Sequence, residues 1–256
     1  MNISKQFINT SSKFNFKEGY QDQKSIILFL HAASFKSFII CLSISLAGFV
    51  ANGQTEADFK KMLEDRSVKI VNTLGLTDSG KYNEVVGILA DQYFNINKVH
   101  DKTKESIAAI HSLQLQNEEK ISRIKIEEEK KATQLSKLHN AFLGKLQKTL
   151  TEEQIEKIKD GMTYRVMPVT YTAYQDMILT LTPEQKEKIY SWLKEARELA
   201  MDEGSSEDKH KVFGKYKGKI NNYLSAEGYD IRKEEKAWQE RLKEKRQKEA
   251  VQKGTQ

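Results

Sequence analysis

Proline occurs only twice in this chain, at Pro168 and Pro183, and that scarcity constrains the fold more than any other feature. Proline breaks helix interiors by removing an N–H and clashing with the preceding turn. Between these rare breaks the chain is rich in Lys, Glu, Gln, Leu and Ala, the residues that lose least on entering a helix. Long helices follow. The apolar positions then recur at spacings of three and four, the mark of helices with one buried face.

The first such run covers 56–75, with Phe59, Met62, Leu63, Val68, Ile70 and Val71. Leu76-Thr77-Asp78 reads as a break and a new N-cap. A second run extends from about Lys81 to Leu113 on Val85, Leu89, Tyr93, Ile96, His100, Thr103, Ile107 and Ile110. A third covers Glu118 to Thr149 on Ile121, Ile124, Ala132, Leu135, Leu138, Phe142 and Leu146. Two long adjacent amphipathic helices are expected to pair antiparallel as a hairpin.

Two later helix starts are explicit. Thr151-Glu-Glu-Gln154 and Thr182-Pro-Glu-Gln185 each place Thr at the N-cap and Gln three residues on, the pattern of a reciprocal capping box. Pro183 falls at the first helical position, where its missing N–H costs nothing. Thr77-Asp-Ser-Gly80 is a weaker copy. Between the two strong starts, Gly161-Met-Thr-Tyr-Arg-Val-Met-Pro-Val-Thr-Tyr171 is the least regular stretch. Its β-branched residues and Pro168 predict extended backbone there, with a short helix from about Tyr171 to Leu179. Helices over 183–201, from Ser205 or Ser206 to before Gly228, and from Asp230 to about Lys248 complete the expectation. The fold class is all-α, a long hairpin on a compact C-terminal helical bundle. Residues 1–53 precede the domain, 54–230 form it, and 231–256 make a charged C-terminal helix and tail.

The N-terminal fifth reads as an export signal. Phe38 to Ala51 is apolar, follows Lys36, and ends in Ala51-Asn52-Gly53 with small residues where a signal peptidase reads. Cleavage is expected before Gln54, giving a periplasmic or secreted protein. Lys36 counts against retention of this run as a membrane anchor. The stretch ahead of it is long for a leader, consistent with a start downstream of Met1. Cys41 is the chain's only cysteine and lies in this segment, so the mature part has no disulfide, thiolate nucleophile or cysteine metal site.

The formal net charge is +6. Residues 1–53 carry five lysines against Glu18 and Asp22. The tail from Arg232 holds nine basic and five acidic residues. Those bases are interleaved with acids as on a solvated helix, so nucleic acid is not an expected partner.

No catalytic residue is marked out: there is no Gly-x-Ser-x-Gly elbow, phosphate loop or metal-ligand spacing, and no cofactor is implied. His100 and His111 lie three turns apart, about 16 Å by helix rise, too far for one metal. His139 and His210 join His100 only if folding converges them. Gly214 and Gly218 predict a close helix–helix contact. Sugar binding needs aromatic faces beside polar groups, and the C-terminal half supplies both. Tyr164, Arg165 and Tyr171 are the leading candidates because they lie on the irregular segment. Tyr174, Arg197, Lys215 and Asn222 are further candidates. Trp192, a candidate as well, joins Tyr216 and Tyr223 at helical spacing, which predicts that all three fill the core.

The segments Leu138-His-Asn-Ala-Phe-Leu-Gly-Lys-Leu146, Gly161 to Tyr171, and Gly204-Ser-Ser-Glu-Asp-Lys-His-Lys-Val-Phe-Gly-Lys-Tyr-Lys-Gly-Lys-Ile-Asn-Asn-Tyr-Leu-Ser225 resemble the domain-of-unknown-function 3826 family. The resemblance covers roughly 60 to 230. These are exported bacterial proteins to which sugar binding has been ascribed. It implies an extracytoplasmic helical domain with a link to carbohydrate use, and carries over no active site. The Leu-Thr-x-x-Gln helix starts are also similar to small periplasmic helical chaperones. The expected function is an exported binding protein for carbohydrate. The alternatives are a chaperone or adaptor acting through the hairpin and an unfamiliar carbohydrate-active enzyme.

Overall fold

The computed structural model describes residues 56–254, with side chains to residue 248. The expected export signal lies outside the described residues. Eight α-helices and one short 3₁₀ turn make up the described chain, which contains no strand. Gly53–Ile231 form one compact unit and Arg232–Gln256 belong to a second. No described helix is long and apolar enough to cross a membrane.

Helix α1 spans Glu56–Val71 and closes through a 3₁₀ turn, Asn72–Leu74, on left-handed Gly75. Asp78 caps α2, Ser79–Ser112, its side chain accepting from the Lys81 amide. After a four-residue connection comes α3, Asn117–Thr149. Helices α2 and α3 run antiparallel in contact, and Thr149 at the end of α3 bonds Glu84 near the start of α2. Beyond Ile96 on α2 and before Leu135 on α3, Thr103 is the one buried residue. Ile121 there is 67 % exposed. The outer half of this pair therefore has a seam and no core.

Helix α4, Glu152–Met162, begins with the predicted box: Thr151 and Gln154 exchange side-chain-to-amide bonds. The same reciprocal pair, Thr182 with Gln185, opens α6, Pro183–Met201. Ser205 caps α7, Ser206–Ala226, by accepting from the Asp208 amide. The last helix, α8, runs from Ile231 to Gly254.

The predicted extended stretch is helical instead. Only Thr163, Tyr164 and Arg165 separate α4 from α5, Val166–Met177. Tyr164 and Arg165 both sit in the left-handed region, at φ 56° and 57°. Pro168 is the third residue of α5, where a backbone N–H has no intrahelical acceptor to lose. Proline therefore does not break this helix, and the reversal is made by two non-glycine residues ahead of it.

One core cluster joins α1, the inner parts of α2 and α3, and α4, and reaches Met201 at the end of α6. Helix α6 packs against α4, α5 and α7; it buries Ile189, Leu193 and Ala196, while α7 buries Phe213 and Ile220. Two glycines permit close approaches. A Cβ on Gly161 of α4 would lie 2.7 Å from Ile70 Cγ2 on α1. A Cβ on Gly204, after α6, would lie 2.9 Å from the His100 ring on α2. The contact predicted at Gly214 and Gly218 is absent: both are exposed, with nothing within 4 Å of a Cβ at either.

Candidate functional site

Six of the eight predicted site residues fall in three separate places within the compact unit. The first is the left-handed turn. The Tyr164 hydroxyl accepts from the Arg66 guanidinium, and its ring stacks on His210 of α7 with centroids 5.8 Å apart. Arg66 also lies 5.1 Å from the buried Tyr93 ring. Tyr164 thus ties α1 and α7 to the turn. Arg165 beside it is exposed. Two consecutive residues in αL hold strain that surrounding contacts must over-determine, and here those contacts come from Arg66, His210 and the Arg165 amide, which donates to Asp160 O at 2.7 Å.

The second place is a buried charged cluster. Arg197 is 1 % exposed, and α6 turns it toward α4. Its Nη1 donates to Asp160 Oδ1 at 2.7 Å, and its Nη2 serves Glu156 and Glu198. Lys159 joins Glu156 and Glu198. Glu198 leads on to His139 of α3, at 3.4 Å, and His139 Nδ1 donates to Asp202 at 3.0 Å. His100 of α2 donates to the Asp202 carbonyl at 2.8 Å. The chain of contacts crosses four helices.

The charges in it shift in opposite senses. Hydrogen bonds to Asp202 and then Glu198 push His139 up to about 9. Burial works against the Glu198 carboxylate, but His139 and Lys159 outweigh it and hold the group at about 2. Burial pushes Asp160 up, against the pull of Arg197. Lys209 of α7, buried beside the end of α6, donates to the Ala200 and Met201 carbonyls at 2.8 and 3.1 Å, and burial lowers it to about 7. The acids of this cluster are already engaged by cations. No group of three His, Cys, Asp or Glu among the described residues could hold a metal ion.

The third place is the seam between α6 and α7. Lys188, Trp192, Glu195 and Leu199 form one stripe of α6, and Val212, Tyr216, Lys219 and Tyr223 form the facing stripe of α7. Trp192 meets Tyr223 edge-on at 5.3 Å. Lys219 stands 4.7 Å from the Trp192 ring and 5.3 Å from Tyr216. Lys188 stands 5.3 Å from the same Trp192 ring. Burial and a hydrogen bond to Glu195 push the Tyr216 phenol up to about 12. Trp192, Tyr216 and Tyr223 are half-buried, not core, because their stripe lies at the rim of the helix pair while Ile220 and Leu224 take the inward positions. Leu199 beside them is 52 % exposed.

The structure gathers some predicted residues and removes others. Trp192 shares the seam with Tyr216 and Tyr223, and Lys215 and Asn222 are exposed on α7 alongside. Tyr171 packs edge-on to Tyr190 across α5 and α6, at 5.2 Å. Tyr174 is buried, its hydroxyl donating to Asn221 at 2.7 Å, so it holds α5 to α7. Arg197 is spent on its three acids. Sequence reasoning missed Lys188 and Lys219, although each lies four residues from a singled-out residue, Trp192 or Tyr223, on its own helix.

Fold and cluster together define an all-α helical protein with an ionic interior and a half-open aromatic rim. Among known families, the model described as "Protein of unknown function (DUF3826)" matches residues 60–244, well over half the chain, and the protein belongs to that family. Comparison with curated proteins finds no match.

Proposed function

We propose that the protein is exported and acts without catalysis, holding carbohydrate on the seam between α6 and α7. One observation carries the reading: Trp192 and Tyr223 meet edge-on at 5.3 Å while both remain half-exposed. A sugar ring offers an apolar C–H face that aromatic surfaces cover, and hydroxyls that Asn222, Lys215 and Glu195 can bond. The family resemblance supports the same direction. Calorimetric titration and glycan arrays on the exported protein test it. Trp192→Ala and Tyr223→Ala should each abolish binding without loss of helicity. Absence of binding to any glycan, or binding indifferent to both substitutions, removes the reading. Sequencing of the mature N-terminus should start at Gln54; an intact leader on exported material removes the cleavage claim, and recovery of the protein only in the cytosol removes the export claim.

A second reading rests on the outer half of the α2–α3 pair, where Ile121, Ile126 and Leu113 are 67, 47 and 42 % exposed. Exposed apolar side chains on a core-free helix pair suit a chaperone or adaptor. Suppression of client aggregation, lost on Ile121→Lys with Ile126→Lys, would favour it over carbohydrate binding.

A further inference from the structure

We infer that the α6–α7 seam is built for acidic sugars, meaning glycans that carry uronic acid carboxylates. This rests on the carbohydrate reading and narrows it. Two ammonium groups already occupy the aromatic surface. Lys188 and Lys219 both stand over the Trp192 ring, at 5.3 and 4.7 Å, and Lys219 is also 5.3 Å from Tyr216. A ligand that takes the ring face must displace these ammonium groups from a favourable cation–π contact. A neutral sugar gives the displaced ammonium nothing in return. A carboxylate on the ring edge gives it a charge-assisted hydrogen bond beside the face it has just left.

The surroundings agree in sign. From Lys215 to Ala226, α7 carries three lysines and no acid. Lys215, one turn before Lys219, is exposed on the outward side of the same helix. The facing acid is Glu195, 3.9 Å from Lys219. Glu184 and Glu227 lie toward the Tyr223 end, which orients an acidic residue of the ligand toward Lys219 and away from that end. Exposed Gly214 and Gly218, with nothing within 4 Å of a Cβ, leave the neighbouring turns of α7 low.

The test compares polygalacturonate with the same polymer fully methyl-esterified, since esterification removes the charge and keeps the ring. Calorimetry on the exported protein should show the acid form bound roughly five- to ten-fold more tightly, the yield of two exposed charge contacts. Lys188→Gln and Lys219→Gln should shrink that gap while circular dichroism and the urea midpoint stay unchanged. Equal affinity for both polymers overturns the acidic preference and leaves carbohydrate binding standing. Binding to neither polymer, nor to any neutral glycan, overturns both claims. Duplex DNA bound as tightly as polygalacturonate also overturns the inference, because the seam would then answer to charge alone.

Discussion

Arg197 on α6 and Asp160 on α4 form a 2.7 Å ion pair around a guanidinium that is 1 % exposed. Glu156 and Glu198 share the same guanidinium. A buried pair of this kind is weak evidence for net stability, but removing one partner strands the others. Arg197→Ala should cost about 3–5 kcal/mol, measured by urea unfolding. Replacing Arg197 by Met together with Glu156→Gln and Asp160→Asn should recover most of the loss. A single Arg197→Ala variant within 1 kcal/mol of the parent, on the same ~3–5 kcal/mol scale, would show that the cluster is solvated and not structural.

The pH dependence separates His139 from Lys209. His139 is held near 9, above its ordinary 6.5. Its contribution is complete below pH 6.5 and disappears as pH rises through 9. Lys209 is depressed to about 7 from 10.5. Its burial penalty is full below pH 7 and vanishes above 10.5, so this group raises stability as pH climbs. The two slopes oppose each other between pH 7 and 9. In Lys209→Met, stability should fall with pH across that window, and in His139→Gln it should rise. Unfolding free energies at pH 6, 8 and 9.5 give the signs, and parallel curves for the two variants would contradict the assignment.

Glycine-to-alanine changes should split by position. Gly161→Ala forces a Cβ to within 2.7 Å of Ile70 Cγ2, and overpacking of this kind costs about 1–3 kcal/mol. Gly161→Ala with Ile70→Ala should lose less than the two changes summed, since the clash goes with the side chain. Gly214→Ala and Gly218→Ala meet nothing and should each stabilise α7 by up to about 1 kcal/mol. Thermal melts of the five variants, Ile70→Ala alone among them, decide the matter.

The paired caps offer an additive test. Thr151→Ala and Thr182→Ala each remove an acceptor for an N3 amide. Each should cost about 1 kcal/mol, and the double variant should show the sum, because the two helix starts share no partner. Serine at either position should restore most of the loss.

How far the fold could be read in advance depended on how local each signal was. The caps at Thr151 and Thr182 were legible because donor and acceptor are three residues apart. The limits of α2 and α3 came within two residues, since one stripe runs unbroken along each. The stretch around Pro168 was misread because β-branched residues and a proline mimic extended chain, whereas the reversal uses Tyr164 and Arg165 with no glycine to announce it. The contacts that hold this turn come from Arg66 and His210, far along the chain. Arg197 was singled out as a ligand contact, yet its partners on α4 are 37 and 41 residues away and no spacing pairs them. For Trp192, Tyr216 and Tyr223, periodicity identifies a stripe but not where the rim of a helix pair falls across it.

The bare outer half of the α2–α3 pair has a dynamic consequence. With Thr103 alone buried between Ile96 and Leu135, the turns beyond His100 and its bond to Asp202 depend mainly on each other, so they should open without the inner layers opening. Amide hydrogens near Leu113 and Ile121 should trade for deuterium long before those near Leu89 and Leu146. A protease would make its first cut there and leave two fragments still associated through the inner core.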